Sequence, residues 1–549
     1  NTGAAITNTS ADGQTIIRAS GDIVNQVLVT EAVEDVELGN FATDFRSEIS
    51  IREDYTSGVI GGEGNVSVVS TGGDIINDAS SIFSNEGDVL IFAEGSFRQN
   101  NRTDTFVSEN SVSLGGGSST SSSSSASSSG SGYDDFEANA QASVSGSQDG
   151  LTANYTESVY NQSASVSGQN VTIVANTGDI ESIGSSIASA GNTILRATEG
   201  DVTLQTDSVV TDSRSLTLSL SGNASAEAGG SGIDYNATAQ ASGTVGLNYG
   251  EQQNATFITS TVSGNNVIID AGNDINSIGA QVSATENLSL IAGNDINSIA
   301  QQELLENFSF SASNTTTAYA TAGTTAGQFG TPDAAVGIEN TTSIGVGGGT
   351  STSSATSGFS AGGNLSLQAG NNINLVGTDL ASGGDTILQA ANDISISALQ
   401  ETSSSWGFSA SSSVGAQLGS GGLTPTASNS FGVSTSNSVT NQEANVTTGG
   451  NFVAVAGGAT TLAGVNVNAG GDALLQGTTV TVTSVQDQFS GTNFGFSSSP
   501  LTNGTGSTLS NPSRTSKCRK EAPDPRTSAM VWPRLTLAPF STGMFWMFA

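Results

Sequence analysis

The sequence predicts an all-β chain: a right-handed parallel β-helix, or solenoid, interrupted by β-hairpins and disordered Ser/Gly-rich insertions. Three observations carry that prediction. First, short phrases place apolar residues at alternate positions, as in Leu365, Leu367 and Ala369, and a period of two is the period of a strand. Second, the phrase returns after 21 residues: Asn364, with Asn372-Ile373 eight residues on, is followed by Asp385, with Asp393-Ile394 eight residues on. Helical solenoids use repeats of about 33 residues or more, whereas 21 residues hold three short strands and their bends. Third, the pair of phrases is itself repeated. Asn65, Asn170, Asn266, Asn364 and Asn451 open five copies, and each is followed 21 to 23 residues later by Asp88, Asn192, Asn287, Asp385 and Asp472. One phrase alone cannot fold. Burying a few aliphatic side chains at about 1.5–3 kcal/mol each does not offset the ordering entropy of twenty residues at about 1–2 kcal/mol each. Near-copies must stack.

Taken in order, residues 1–63 read as a partial unit, because Gln14-Thr15-Ile16-Ile17-Arg18-Ala19 followed by Asp22-Ile23 matches the second phrase at Asn192–Ala197 and Asp201-Val202. Residues 64–510 read as the repeat array, with super-repeats starting near 64, 168, 264, 362 and 449. Between the coil pairs lie insertions at about 100–160, 215–260, 305–360 and 401–445. The Ser/Gly run at 115–132 has no apolar residue to order it and is expected to be flexible. The alternating stretches from Phe136 and Ser215 are expected to be hairpins. These insertions differ in length, so they are expected to vary without disturbing the coils and to carry any binding; removing 401–445 should leave the rod stable. Gly64, Gly168, Gly264, Gly363 and Gly450 are expected to serve bends of positive φ. Residues 511–549 hold 6 of the 13 basic residues, 5 of the 8 prolines, all 3 methionines and the single cysteine, Cys518. That change of composition reads as a frame-shifted or disordered tail outside the fold.

The formal net charge is −36, and both lysines lie in that tail. Nucleic acid is therefore not an expected partner, since phosphate binding needs clustered Lys and Arg. No apolar run reaches the roughly 18–20 residues of a membrane span. With no histidine in the chain and no cysteine before Cys518, Ser/His/Asp and Cys/His nucleophile systems and His- or Cys-based zinc sites are excluded. Acids remain. Asp74, Asp179, Asp274, Asp295 and Asp393 recur at one phase of the coil, and Asn372 occupies the same place, which favours bonding to backbone at a turn over catalysis. Tyr133, Phe136, Tyr155, Tyr235, Tyr249, Phe308, Trp406 and Phe408 on the insertions are expected to pack the hairpins against the neighbouring coil, with adhesive contact as the alternative. No catalytic, cofactor-binding or metal-binding residue is assigned.

The stretches GNNVIIDAGNDINSIGAQVSA, GGDTILQAANDISISALQETSSS and SVTNQEANVTTGGNFVAVAGGATTLAGVNVNAGGDALLQGTTVTVTSVQD resemble the haemagglutinin repeats of filamentous-haemagglutinin-type exoproteins. The last is similar to repeats in the C-terminal half of contact-dependent growth inhibition exoproteins. The resemblance covers residues 64–499. It implies an internal rod fragment of a bacterial exoprotein, secreted with an outer-membrane two-partner secretion transporter and held at the cell surface. There it would adhere through a host or bacterial cell-surface receptor, or carry a C-terminal toxin to neighbouring cells, without being an enzyme itself. The alternative is a polysaccharide-active β-helix enzyme, which would need a cluster of carboxylates with Arg or Lys occurring once on one face.

Overall fold

The computed structural model describes residues 1–33, 51–113, 117–128, 136–231, 234–324, 333–498 and 535–539. Three parallel sheets of 11, 12 and 11 strands run the length of the molecule and form the faces of a parallel β-helix. Each coil supplies one strand to each face. The coil at Ser357–Ala361, Leu365–Ala369 and Ile373–Val376 is followed directly by Thr378–Ser382, Thr386–Ala390 and Ile394–Ser397. The pairing is in register, Leu367 against Leu290 on one side and Leu388 on the other. Alternate side chains point inward, so Leu365, Leu367 and Leu388 are fully buried while Ile387 is 40% exposed. Among the described residues there is no helix. The all-β solenoid read from the period is the observed fold.

Coils occur in pairs. Within a pair, the chain passes from the third face to the first through a single left-handed residue: Ala79 (φ 47°), Gly184 (54°), Gly279 (65°), Gly377 (59°) and Gly464 (66°). Between pairs the same corner opens into a long hairpin. The hairpin strands are Asp207–Ser231 with Asp234–Ile258, Gln301–Thr324 with Asp333–Ala355, and Leu399–Gly419 with Gly422–Gln442. They do not stand alone. Each pairs antiparallel with the next, joining Arg102–Ser113, Gly117–Ser128, Phe136–Gln162 and Gln488–Ser498 in one 10-stranded side sheet. The two-coil spacing makes this possible. Two stacked coils rise by about 9.6 Å, and one hairpin adds two strands, also about 9.6 Å wide, because neighbouring strands in either kind of sheet lie about 4.8 Å apart. Solenoid and side sheet therefore lengthen in step.

This arrangement corrects four expectations. The described part of the Ser-rich run is not a flexible excursion: Gly117–Ser128 pairs residue for residue with Phe136–Ser147, backbone pairing supplying what its side chains lack. The insertions are not independent of one another, since Leu399–Gln442 pairs with Val336–Ser351 on one side and Gln488–Ser498 on the other. Ala444 and Asn445, placed in the insertion by composition, belong to the coil strand Ala444–Thr448. The glycines Gly64, Gly168, Gly264, Gly363 and Gly450, where the chain passes from the first face to the second, do not have positive φ. They are required by close stacking: a Cβ at Gly64 would lie 2.1 Å from the Gly13 carbonyl oxygen, and one at Gly450 would lie 2.3 Å from Asp385 Oδ1.

The tail expected to lie outside the fold falls mostly outside the described residues. Its one described piece, Leu535–Pro539, adds in parallel to Ala473–Gly477.

Candidate binding surface

The recurrent acids are structural rungs. Where strands of the second face begin, Asn and Asp side chains accept through Oδ1 the backbone N–H of the counterpart one coil further on. Asp385 N–H donates to Asn364 at 2.9 Å, Asn451 N–H to Asp385 at 2.7 Å and Asp472 N–H to Asn451 at 2.8 Å. A second column runs where the third face begins. Ser96 N–H donates to Asp74 (2.8 Å), Asp201 to Asp179 (2.9 Å), Asp295 to Asp274 (3.0 Å), Asn372 to Asp295 (2.8 Å) and Ala459 to Asp393 (2.6 Å). The side chains bond backbone as expected, but the backbone is that of the next coil, not of their own turn. Asn serves as well as Asp because only the acceptor oxygen is used.

The side sheet is the surface that remains. Directly paired residues in an antiparallel sheet share a face, and following the pairings across the strands gives continuous rows. One row runs Leu216, Tyr249, Phe310, Val346, Phe408, Val433, Phe494. Its neighbour runs Leu218, Leu247, Ala312, Ile344, Ala410, Phe431, Phe496. The rows interlock through rings: Phe408 meets Phe431 edge-on at 5.3 Å, and Phe431 meets Phe494 at 6.1 Å. The intervening residues fill the other face with Ser, Thr, Asn and Gly, as in Thr217, Asn248, Ser311, Gly345, Ser409, Gly432 and Gly495. The sheet is thus two-faced and one layer thick. Trp406 is 47% and Phe494 45% exposed.

Of the aromatic residues singled out from the sequence, Tyr249 and Phe308 touch each other at 6.1 Å across neighbouring hairpins, and Trp406 and Phe408 lie on the same apolar face. Their neighbours are other hairpins, not the coil. Tyr133 lies outside the described residues, and the side chains of Phe136 and Tyr235 likewise. Tyr155 belongs to a polar group that the sequence did not reveal. Arg214 donates to Asp212 (2.8 Å) and Glu251 (3.0 Å) and lies over the Tyr155 ring at 5.7 Å. Tyr155 donates to Glu157 at 2.7 Å and Tyr249 to Glu251 at 3.2 Å. Bonding to Glu157 raises the Tyr155 hydroxyl above its ordinary value, burial with the Glu251 bond raises Tyr249, and the Glu251 bond raises Arg214. Arg214 meets Glu251 through the pairing of one hairpin and Tyr155 through the pairing of two neighbouring insertions, so local spacing signals neither contact.

A solenoid whose every second coil feeds a strand pair into a lateral sheet is a repeat protein of one recurring supersecondary unit. The chain belongs to the hemagglutinin repeat family, whose sequence profile matches residues 152–315, 248–354 and 340–494, and it is a filamentous-haemagglutinin-like, adhesin-type protein. All six ends of those matches fall within side-sheet strands of this chain, and each match spans lateral strands together with the coils between them. Neither a curated protein nor a solved structure matches the chain. Among the described residues no helix is long and apolar enough to cross a membrane.

Proposed function

We propose that this region is the non-catalytic rod of a secreted bacterial surface exoprotein, exported with an outer-membrane two-partner transporter. It holds adhesive or toxic elements away from the producing cell and meets the surface of another cell, through a receptor, along its side sheet. The observation that carries the reading is the division of labour between the two sheets. The recurrent acids are consumed in rungs that hold coil to coil, while the lateral sheet presents aromatic side chains to the outside on a stiff support. Surface aromatics of this kind are common anchors in protein contacts. The test is attachment: beads coated with the full chain should bind target cells, and beads coated with a Trp406→Ser/Phe408→Ser variant should bind several-fold fewer cells at unchanged circular dichroism. Equal attachment by the two would refute the reading.

One observation favours the alternative, cleavage of a polysaccharide: Asp212, Arg214 and Glu251 form a single, non-repeated group of acids around a cation. On a flat, exposed sheet the same group is an ordinary cross-strand ion pair, weakened by solvent screening. Release of reducing ends from acidic or neutral glycans by the chain, abolished by Glu251→Gln, would establish the enzymatic reading and displace the adhesive one.

A further inference from the structure

The apolar face of the side sheet is large, continuous and uncovered. Beside the two rows already traced lies a third, in which Phe308, Gly348 and Trp406 pair in turn, with Glu251 and Arg214 continuing the row at one end and Thr435 at the other. None of the described side chains in these rows is buried. A sheet normally buries one of its faces against another layer, and exposed apolar patches above a few hundred Å² mark contact surfaces. Two rows at about 7 Å along the strands, over seven strands about 4.8 Å apart, together with the three positions of the third row, cover roughly 570 Å². That is close to the area, about 600 Å² per partner, of the smaller specific protein interfaces.

The chemistry selects the partner. In the two main rows, between Leu216 and Phe496, there is no charged residue, and the strands Gly422–Gln442 and Gln488–Ser498 contain none at all. On the strands that carry these rows the charged residues lie toward the ends, at Asp207, Asp212, Arg214, Glu251, Glu303, Glu306 and Glu401 near the solenoid and at Glu227, Asp234, Asp333 and Glu339 beyond. A molecule of net charge −36 can approach its own copy only where charge is absent, and this is such a place. Two flat faces with alternating large and small residues, Phe408 beside Ala410 and Phe310 beside Ala312, interdigitate as the two layers of a β-sandwich about 10 Å apart. We infer that the apolar face of the side sheet docks against the same face of a second copy of this chain, joining two rods side by side. The contact is isologous, so one patch serves both copies.

Sedimentation of the full chain from about 1 to about 100 µM tests this. The wild type is expected to reach twice its 54.8 kDa mass. The association should tighten from 0.15 to 0.5 M NaCl, because salt screens the repulsion of like charges and does not weaken apolar contact. Phe408→Glu with Phe431→Glu should weaken it at least about 30-fold, the effect of losing interface anchors, with strand signal and unfolding midpoint retained. Phe408→Ser with Phe431→Ser serves where the acidic pair lowers the midpoint, and should weaken association in the same direction. Ser409→Glu with Asn493→Glu, on the opposite face, should leave it unchanged. The inference is overturned by a wild type that stays monomeric at every concentration, by equal loss in the opposite-face variant, or by a monomer that floats with phosphatidylcholine vesicles, which would make lipid the occupant. Cell attachment by a monomeric wild type would sink this inference and leave the proposed rod function standing.

Discussion

Replacing Leu367 by Ala should destabilise the rod far more than replacing its near neighbour Ile387, although both are aliphatic residues of adjoining strands in the same sheet. Leu367 is fully buried and stacks between Leu290 and Leu388; Ile387 is 40% exposed and lies between Ser366 and Val453. Truncating Leu367 removes three carbons from the interior, about 2.4 kcal/mol at about 0.8 kcal/mol each. A cavity term is added on top, taking such changes to about 3–5 kcal/mol. The upper half of that range is expected, because Leu290 and Leu388 are fixed by the strand ladder and cannot collapse into the space. Ile387→Ala should cost about 1 kcal/mol or less. Urea unfolding followed by circular dichroism near 217 nm measures both. Since each coil touches only its neighbours, hydrogen exchange should show the loosening to be greatest between Leu290 and Leu388. Equal losses in the two variants, within about 0.5 kcal/mol, would refute the inward and outward assignment of this sheet.

Three further outcomes follow from single contacts. Gly377→Ala places a Cβ 2.6 Å from Leu399 Cβ at a φ of +59°, so it should cost at least about 1–2 kcal/mol, whereas Gly21→Ala, with nothing within 4 Å, should fall within about 0.5 kcal/mol of the wild type; urea midpoints compare them. Asn364→Ala removes the acceptor of the Asp385 N–H but keeps its own N–H bond to Asn287 Oδ1 at 3.0 Å, a loss of about 0.5–1.5 kcal/mol, while Asp385→Asn keeps its acceptor oxygen and should be near neutral. Asp78 is half-buried, and burial raises its carboxyl above the ordinary 3.8 against the opposing pull of Arg102. A raised value favours the neutral acid in the folded state, so this contribution is present below about pH 3.8 and is lost as pH rises through the folded value. Asp78→Asn should therefore stabilise at pH 7 and lose that advantage below about pH 4, as thermal melts across pH would show.

The coils were legible because their signal is local. Leu365, Leu367 and Ala369 alternate within five residues, and the return of the phrase at Asp385 gives the coil length without knowledge of any distant contact. The paired grouping of coils could be read from the same spacing. The side sheet could not. The alternation of Phe308 and Phe310 is visible, but the row that makes it a surface passes through Tyr249, Val346 and Phe408, each in a different strand and set beside it only by pairing tens of residues apart. Long runs of Ser, Thr, Ala and Gly carry little preference between order and disorder; the adjacent edge decides for them. The glycines and acids illustrate a related limit. Their recurrence at a fixed phase was plain, yet the reason lies in the coil above or below, as with Gly64 over the Gly13 carbonyl and Asp393 under Ala459.

The matching rise of two coils and one hairpin can be tested directly with a pair of deletions. Removing residues 365–451 takes out one complete unit, two coils with their hairpin, and joins Asn364 to Phe452 at the same phase of the coil. Removing residues 365–385 takes out one coil alone and joins Asn364 to Thr386, again in phase, but leaves the hairpins Gln301–Ala355 and Leu399–Gln442 one coil apart, about 4.8 Å in place of about 9.6 Å. Urea unfolding and hydrogen exchange of the two proteins decide the matter. The geometry predicts that the 87-residue deletion unfolds with side-sheet amides protected as in the parent, while the 21-residue deletion loses protection in Asp333–Ala355 and Leu399–Gly419 and has the lower midpoint. Equal protection and equal midpoints in the two deletions would contradict it.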